Sequence, residues 1–271
     1  MVQGYILMEN RKLRLFTGIR KANLSIYCRF LLPKYLLYLI KPITMKGYTI
    51  VDCHDIEPHI KFLRINPTDL KLTLKHILDS LMDLSWISSF DKEFLKSSYE
   101  ERSKPTVAYI ATKIIKKDDD TVTTSSGEYV VSELARQSII ESYTYLDIPL
   151  AELFKKKVIG NHGFDFYSLN LEKNILFGEA KYIASQNAYG SALTQISQFY
   201  NDKQHITDIA DIQNFFCDES LENCHKNEVG FIAAFSSKNM ATEMLIENIK
   251  KNKSYVSLCS SKEIILVAVN I

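Results

Sequence analysis

Residues 161–200 of the chain read NHGFDFYSLNLEKNILFGEAKYIASQNAYGSALTQISQFY, and they contain two acids, Asp165 and Glu179. Aromatic and branched apolar residues surround both acids, which is typical of β-strands. The polar residues 170–174 between them predict a turn. We therefore expect an antiparallel hairpin centred on Glu172, with Asp165 opposite Glu179.

This hairpin predicts a metal site. Like charges directly opposite one another destabilise a sheet, so a chain that keeps Asp165 opposite Glu179 is expected to hold a cation between them. Side chains alternate along a strand, which places Lys181 on the same face as Glu179. Two carboxylates and substrate phosphate suit Mg²⁺, and Mn²⁺ is an alternative ion. Such a metal acidifies a bound water, and a lysine can orient that water or neutralise the phosphate.

The sequence pattern here resembles the active-site motif of the PD-(D/E)xK nuclease superfamily, with GFD, a spacer and then GEAK. The resemblance implies an α/β fold with a restriction-endonuclease-like core, in which helices flank a mixed central sheet. It also implies that Asp165, Glu179 and Lys181 are catalytic, and that both acids bind the metal. The competing interpretation is a surface hairpin with a solvated Glu–Lys pair, because an E-x-K triplet alone is common.

The segment before the hairpin, residues 127–145, predicts an amphipathic helix that begins next to Glu128. In the superfamily, an acid on this helix often joins the metal site, so Glu128 is a further candidate for a catalytic metal ligand. The alternative is structural. Ser125 and Glu128 have the spacing of a capping box, and the helix dipole favours an acid in the first turn.

Three other polar features lie near the hairpin. Gln195 and Tyr200, on a predicted helix after Lys181, faintly resemble the glutamine-and-tyrosine motif of the RecB-like branch. Gln195 is otherwise a polar residue on a half-exposed helix. His162 is either a phosphate contact or a surface imidazole. The basic run of residues 155–157 is either a phosphate contact or a solvated face.

A closer resemblance rests on GEYVVSELA, NHGFDFYSLN and FGEAKY. These segments are similar to the nuclease subunits of the Hachiman anti-phage system, over about residues 48–271, with only residues 125–200 specific to the motif. The resemblance implies a cytoplasmic, Mg²⁺-dependent DNA nuclease that a partner helicase controls. The alternatives are a nuclease or DNA-binding subunit of this fold in restriction, repair or recombination, and a non-catalytic assembly subunit.

The composition fits a soluble globular protein, with 46% hydrophobic and 24% charged residues and a net charge of +1. Its five cysteines include no CxxC pair, which favours a reducing cytosol. No apolar run is long and unbroken enough to predict a membrane span. A phosphate-binding GxxxxGK[ST] loop is absent from the sequence, which excludes nucleotide hydrolysis by that route.

The charge is uneven and suggests the domain organisation. Residues 1–46 carry nine Lys or Arg and one acid, which predicts a basic N-terminal extension, although Met45 is an alternative start of translation. The polar loop at residues 116–126 is the expected boundary between an N-terminal α/β region, residues 47–120, and a catalytic core, residues 121–271.

The pattern predicts further elements on both sides of the hairpin. Two strands are expected over residues 48–66, followed by a helix in which Asn66 is the N-cap and Pro67 the first helical residue. Residues 228–235 and 263–271 are apolar runs, which favours strands buried on both faces with a helix between them.

Overall fold

A computed structural model describes residues 5–9, 12–16, 46–115, 122–155 and 163–271. Contacts divide the chain into two units between Met45 and Lys46. In the first unit, β1 (Tyr5–Glu9) pairs with β2 (Lys12–Phe16) as an antiparallel hairpin. The second unit contains the predicted site.

Within the described residues, the second unit is built on a six-stranded mixed sheet in the order β3-β4-β8-β7-β6-β5. The inner strands β4, β8, β7 and β6 are parallel, and the edge strands β3 and β5 pair antiparallel with their neighbours. The α/β prediction with a mixed sheet is therefore confirmed. The strands are β3 (Tyr48–Glu57), β4 (Ile60–Pro67), β5 (Phe166–Leu169), β6 (Ile175–Lys181), β7 (Gly230–Ser237) and β8 (Glu263–Asn270).

Helices cover both faces of the sheet. The helices are α1 (Leu70–Met82), α2 (Glu93–Ile115), α3 (Thr124–Tyr143), α4 (Ala151–Phe154), α5 (Tyr189–Asn201), α6 (Gln204–Ile212), α7 (Asp218–His225), α8 (Thr242–Lys250) and α9 (Lys253–Leu258). One apolar layer joins α3 to the sheet through residues such as Val130 and Ala180. The other joins α5 to the opposite face through Leu193 and Phe177. In the described part of the chain, no helix has the length and apolar character needed to cross a membrane.

The central strands follow the predicted pattern. Every residue of β7 is buried, and β8 is buried up to Asn270. Strands covered by helices on both faces need apolar residues at successive positions rather than at alternate ones. The continuous apolar runs therefore correctly predict the middle of the sheet.

The hairpin of β5 and β6 has the predicted register. Phe166 lies opposite Gly178 and Leu169 opposite Ile175, so the hairpin is centred on Glu172. The side chain of Asn170 closes the turn, because its Oδ1 accepts the backbone N–H groups of Glu172 (3.0 Å) and Asn174 (2.8 Å). Such a turn fixes the pairing of the strands that it joins.

The predicted start of α1 is wrong. β4 continues through Pro67, which pairs with Tyr48, and Asn66 belongs to the same strand. Asp69 is the N-cap instead, and its side chain accepts the backbone N–H of Leu72 at 2.9 Å. A proline at the end of a strand has the same fixed φ as one at the start of a helix, so Pro67 does not distinguish the two.

The expected boundary near residue 120 does not separate two sheets. β4 comes before it and β8 after it, and the two strands pair in parallel from Ile60 to Ile65. Residues 47–115 therefore supply strands and helices to the unit that carries the hairpin. The six residues 116–121 lie outside the described part of the chain.

Candidate active site

Asp165 lies just before β5 and is fixed by backbone contacts. Its N–H donates to the carbonyl of Gly178 (2.9 Å), and its carbonyl accepts the N–H of Ala151 (2.8 Å). Its carboxylate Oδ2 accepts the N–H of Ala180 at 2.8 Å. The side chain is therefore held against β6, beside the residue that follows Glu179.

Glu179 and Lys181 lie at the end of β6 and share a face of the sheet. Ala180, between them, packs in the layer of α3, while Phe177, two residues before Glu179, packs in the layer of α5. The ammonium Nζ of Lys181 lies 2.8 Å from Oε1 of Glu179. Glu179 is 1% exposed, and its second oxygen, Oε2, is buried without a hydrogen-bond partner among the described residues.

Glu128 reaches this site through Lys181 rather than through the acids. Its Oε1 lies 3.4 Å from Nζ of Lys181, and its side chain is 54% exposed. Close packing brings the helix there, because a Cβ added to Gly127 would meet the ring of Tyr182 at 2.1 Å. The expected capping box between Ser125 and Glu128 is wrong: α3 begins earlier, and its capping box joins Thr123 to Ser126.

Burial controls the protonation of both acids. Burial raises the pKa of Asp165 to about 7, and the negative charges of Glu128 and Glu152 add to the effect, while Ala180 and Lys181 oppose it. Burial and the nearby Asp165 also raise the pKa of Glu179 well above its ordinary value, against the pull of Lys181. The positive charge at the site is therefore too small to keep both carboxylates ionised.

Lys181 itself stays a cation. Burial works against its charged form, but the negative charges of Glu179, Glu128 and Asp165 outweigh burial and raise its pKa. A lysine with a raised pKa donates hydrogen bonds and neutralises charge, and it does not accept a proton near neutral pH.

The donor set fits a hard divalent ion with two protein carboxylates. Mg²⁺ is often bound through one or two carboxylates, with water and phosphate completing its shell. The buried oxygen Oε2 of Glu179 has no other partner in the described residues, and a cation beside it would satisfy its charge. The described residues contain no group of three His, Cys, Asp or Glu side chains placed to hold a metal, so Glu128, Asp165 and Glu179 do not form the expected three-acid set.

The structure also shows an acid that the sequence interpretation missed. Glu152, on α4, hydrogen-bonds to the hydroxyl of Tyr129 and lies close enough to Asp165 to raise the pKa of its carboxyl. Burial first, and then the charge of Glu152, raise the pKa of Tyr129. The sequence signal for Glu152 is weak, because an acid in a short helix resembles any surface acid.

The remaining candidates differ in their placement. Gln195 lies on α5 beside the buried Ala192 and Ile196, and it is half-buried. No hydrogen bond of the described residues joins Gln195 to Asp165 or Glu179. His162 lies outside the described residues.

The first residue of the basic run 155–157 is not on a solvated face. Lys155 is buried, and its Nζ lies 3.4 Å from Oδ2 of Asp208 on α6. The paired carboxylate offsets the charge of Lys155, which explains why a lysine can occupy the interior there. Residues 156 and 157 lie outside the described part of the chain.

Comparison of the chain with family models, curated proteins and solved structures gives no significant match. The resemblances to the nuclease superfamily and to the Hachiman nuclease subunits therefore rest on the motif residues alone. A functional assignment depends on the chemistry of the site.

Proposed function

We propose that this protein is a metal-dependent DNA nuclease with a restriction-endonuclease-like core. The observation that carries the proposal is the buried oxygen Oε2 of Glu179, which lacks a partner in the described part of the chain and belongs to an acid beside Asp165 and Lys181. A buried carboxylate oxygen without a hydrogen bond calls for an explanation, and a bound ion or a catalytic role is one. A divalent ion would satisfy that oxygen.

Asp165 and Glu179 would hold the ion, which is Mg²⁺ or Mn²⁺. When bound, such an ion acidifies water and offsets the charge that develops on a phosphate during hydrolysis. The backbone N–H of Ala180 orients the carboxylate of Asp165 toward β6. This contact uses Oδ2 of Asp165, and no hydrogen bond of the described residues uses its other oxygen, Oδ1.

Lys181 neutralises the phosphate and positions the attacking water. The nearby carboxylates raise the pKa of its ammonium group and favour the charged form, which donates hydrogen bonds to phosphate and water. Glu179 fixes one side of the ammonium group at 2.8 Å, and Glu128 approaches it at 3.4 Å. Glu128 therefore acts on the site by orienting Lys181.

The choice of DNA as the substrate, the helicase partner, the role in anti-phage defence and the cytoplasmic location come from the resemblance to the Hachiman nuclease subunits. Two of the three segments that carry that resemblance are GEYVVSELA on α3 and FGEAKY at the end of β6. These two segments supply Glu128, Glu179 and Lys181, which the structure brings together.

Plasmid cleavage tests the proposal. The protein is incubated with supercoiled plasmid and Mg²⁺, Mn²⁺ or EDTA, with and without a candidate helicase. We expect cleavage that requires the metal and falls by more than about 100-fold in Glu179→Gln and Lys181→Met, because each removes charge from the reacting centre. Lys61→Met is the matched control, because it removes another partly buried lysine that is paired with an acid, Glu263.

Two outcomes would contradict the proposal. Undiminished cutting by both site variants would show that the activity belongs to another site or to a contaminant. A wild-type protein that leaves the plasmid intact under every condition would favour a non-catalytic subunit.

A further inference from the structure

A buried ion pair lies directly behind the candidate site. Lys155 follows α4 and Asp208 lies on α6, with Nζ 3.4 Å from Oδ2 and each side chain 3% exposed. Placing two charges in the interior carries a large desolvation penalty, and apolar residues of similar volume often give equal stability. The pair therefore calls for an explanation other than stability.

Both charged groups contact Phe164, the residue immediately before Asp165. Oδ2 of Asp208 accepts the backbone N–H of Phe164 at 3.2 Å, and Lys155 donates to the backbone carbonyl of Phe164 at 3.4 Å. The hydroxyl of Tyr167 donates to the same Oδ2 at 2.6 Å, and Gln204 donates to Oδ1 at 2.8 Å. The ion pair thus contacts both backbone polar groups of one residue, and the hydroxyl of Tyr167 also lies 3.3 Å from the carbonyl oxygen of Phe164.

Gly163 allows the backbone to pass close to the side chains of Lys155 and Asp208. Its φ is +123°, a backbone conformation that residues other than glycine rarely adopt. A Cβ at this position would lie 2.5 Å from Oδ1 of Asp208 and 2.6 Å from Nζ of Lys155. The backbone therefore lies directly against the two charged groups.

Asp165 depends on this contact because β5 begins only at Phe166. On its N-terminal side, Asp165 follows a residue whose N–H and carbonyl are bound by the ion pair rather than by the sheet. We propose that Lys155 and Asp208 are positioning residues, which fix the backbone at Phe164 so that the carboxylate of Asp165 faces Glu179. The catalytic part of this inference rests on the proposed nuclease function.

The test is the double variant Lys155→Met/Asp208→Leu, which removes both charges and leaves neither one buried alone. We expect a folded protein whose kcat falls by about 10- to 100-fold and whose half-saturating Mg²⁺ concentration rises by about 10-fold, as is common when groups behind metal ligands are lost. The KM for DNA should stay within about 2-fold, because only the reacting centre is displaced.

A second readout does not depend on catalysis. Hydrogen exchange of the Phe164 and Ala180 amides reports the positions of the Phe164 backbone and of Oδ2 of Asp165, to which Ala180 donates. We expect both amides to exchange at least about 10-fold faster in the double variant. The matched control is Lys61→Met/Glu263→Leu, which removes a partly buried pair at the turn end of the hairpin and should leave both amides unchanged.

Gly163→Ala provides a second route if the double variant does not fold, because its added methyl group pushes on the same two side chains. Unchanged exchange at Ala180 in the folded variant would overturn the inference, whether or not the wild-type protein cuts DNA. Faster exchange in a protein without nuclease activity would support the positioning role and reject only the proposed function.

Discussion

Replacement of Asp165 by asparagine should stabilise the metal-free protein at pH 8. Burial, with help from Glu128 and Glu152, raises the pKa of Asp165 from 3.8 to about 7 in the folded state. The folded protein therefore keeps a proton on Asp165 that the unfolded chain releases near pH 4. The stability that this proton contributes is complete below pH 4 and is lost as the pH rises through 7.

The size of the effect follows from the change in pKa. One pKa unit corresponds to about 1.4 kcal/mol, so a rise of about three units costs about 4 kcal/mol at pH 8. The same relation gives about 2 kcal/mol at pH 5 and less than about 1 kcal/mol at pH 4. Asparagine has no carboxyl to ionise, and its side-chain oxygen can still accept the N–H of Ala180.

Urea unfolding in EDTA at pH 4, 5, 6, 7 and 8 measures this prediction. We expect Asp165→Asn to unfold at higher urea than the wild type at pH 8, with a gain of about 2 to 4 kcal/mol that shrinks toward pH 4. Asp208→Asn is the matched control with the opposite sign. It leaves Lys155 buried without its partner charge and should cost about 3 to 5 kcal/mol.

Two results would refute this reasoning about Asp165. One is a variant that is no more stable than the wild type at pH 8 without metal. The other is a gain that is the same at pH 4 as at pH 8, because a pH-independent gain cannot come from the ionisation of a carboxyl.

Three further substitutions have defined outcomes. Glu152→Gln removes a negative charge beside Asp165, so the pH at which metal-free stability declines should move down, and an unmoved profile would contradict the contact. Gly178→Ala places a Cβ 2.6 Å from the ring of Phe166 and should cost about 1 to 3 kcal/mol in urea unfolding; a neutral result would mean that the ring moves freely. Glu128→Gln weakens only a half-exposed pair with Lys181, so plasmid cleavage should fall by less than about 10-fold, and a loss as large as in Glu179→Gln would make Glu128 a metal ligand.

The hairpin was predictable because its determinants are local. Alternation around Asp165 and Glu179 identifies the strands, and the polar turn at residues 170–174 sets a register that the structure confirms. The relation of Glu179 to Lys181 needs only the two-residue period of a strand. Local patterns thus predicted the part of the candidate site that lies on one hairpin.

The support behind the hairpin was not predictable in the same way. Asp208 is 44 residues from Phe164, and in the sequence it is one acid in QHITDIADI. The spacing of Ile206, Ile209 and Ile212 is compatible with a helix, but it does not show that Asp208 faces inward. Only the tertiary fold brings it to Lys155, whose run of lysines is typical of a surface.

Glu152, the acid near Asp165 that the sequence did not predict, was missed for a similar reason. Glu152 approaches Asp165 because the N–H of Ala151 donates to the carbonyl of Asp165, which brings the short helix α4 to the site. Glu128 shows the converse limit. The sequence places it on the correct helix, but the side chain reaches Lys181 rather than a group of three acids.

The location of a bound ion tests the metal site most directly. A crystal of the wild-type protein grown with Mn²⁺ gives an anomalous difference map that identifies the ion independently of the protein atoms. We predict one peak between the side chains of Asp165 and Glu179, within about 2.5 Å of a carboxylate oxygen from each. A map without a peak at this position, at an Mn²⁺ concentration that saturates cleavage, would contradict the assignment of these two acids.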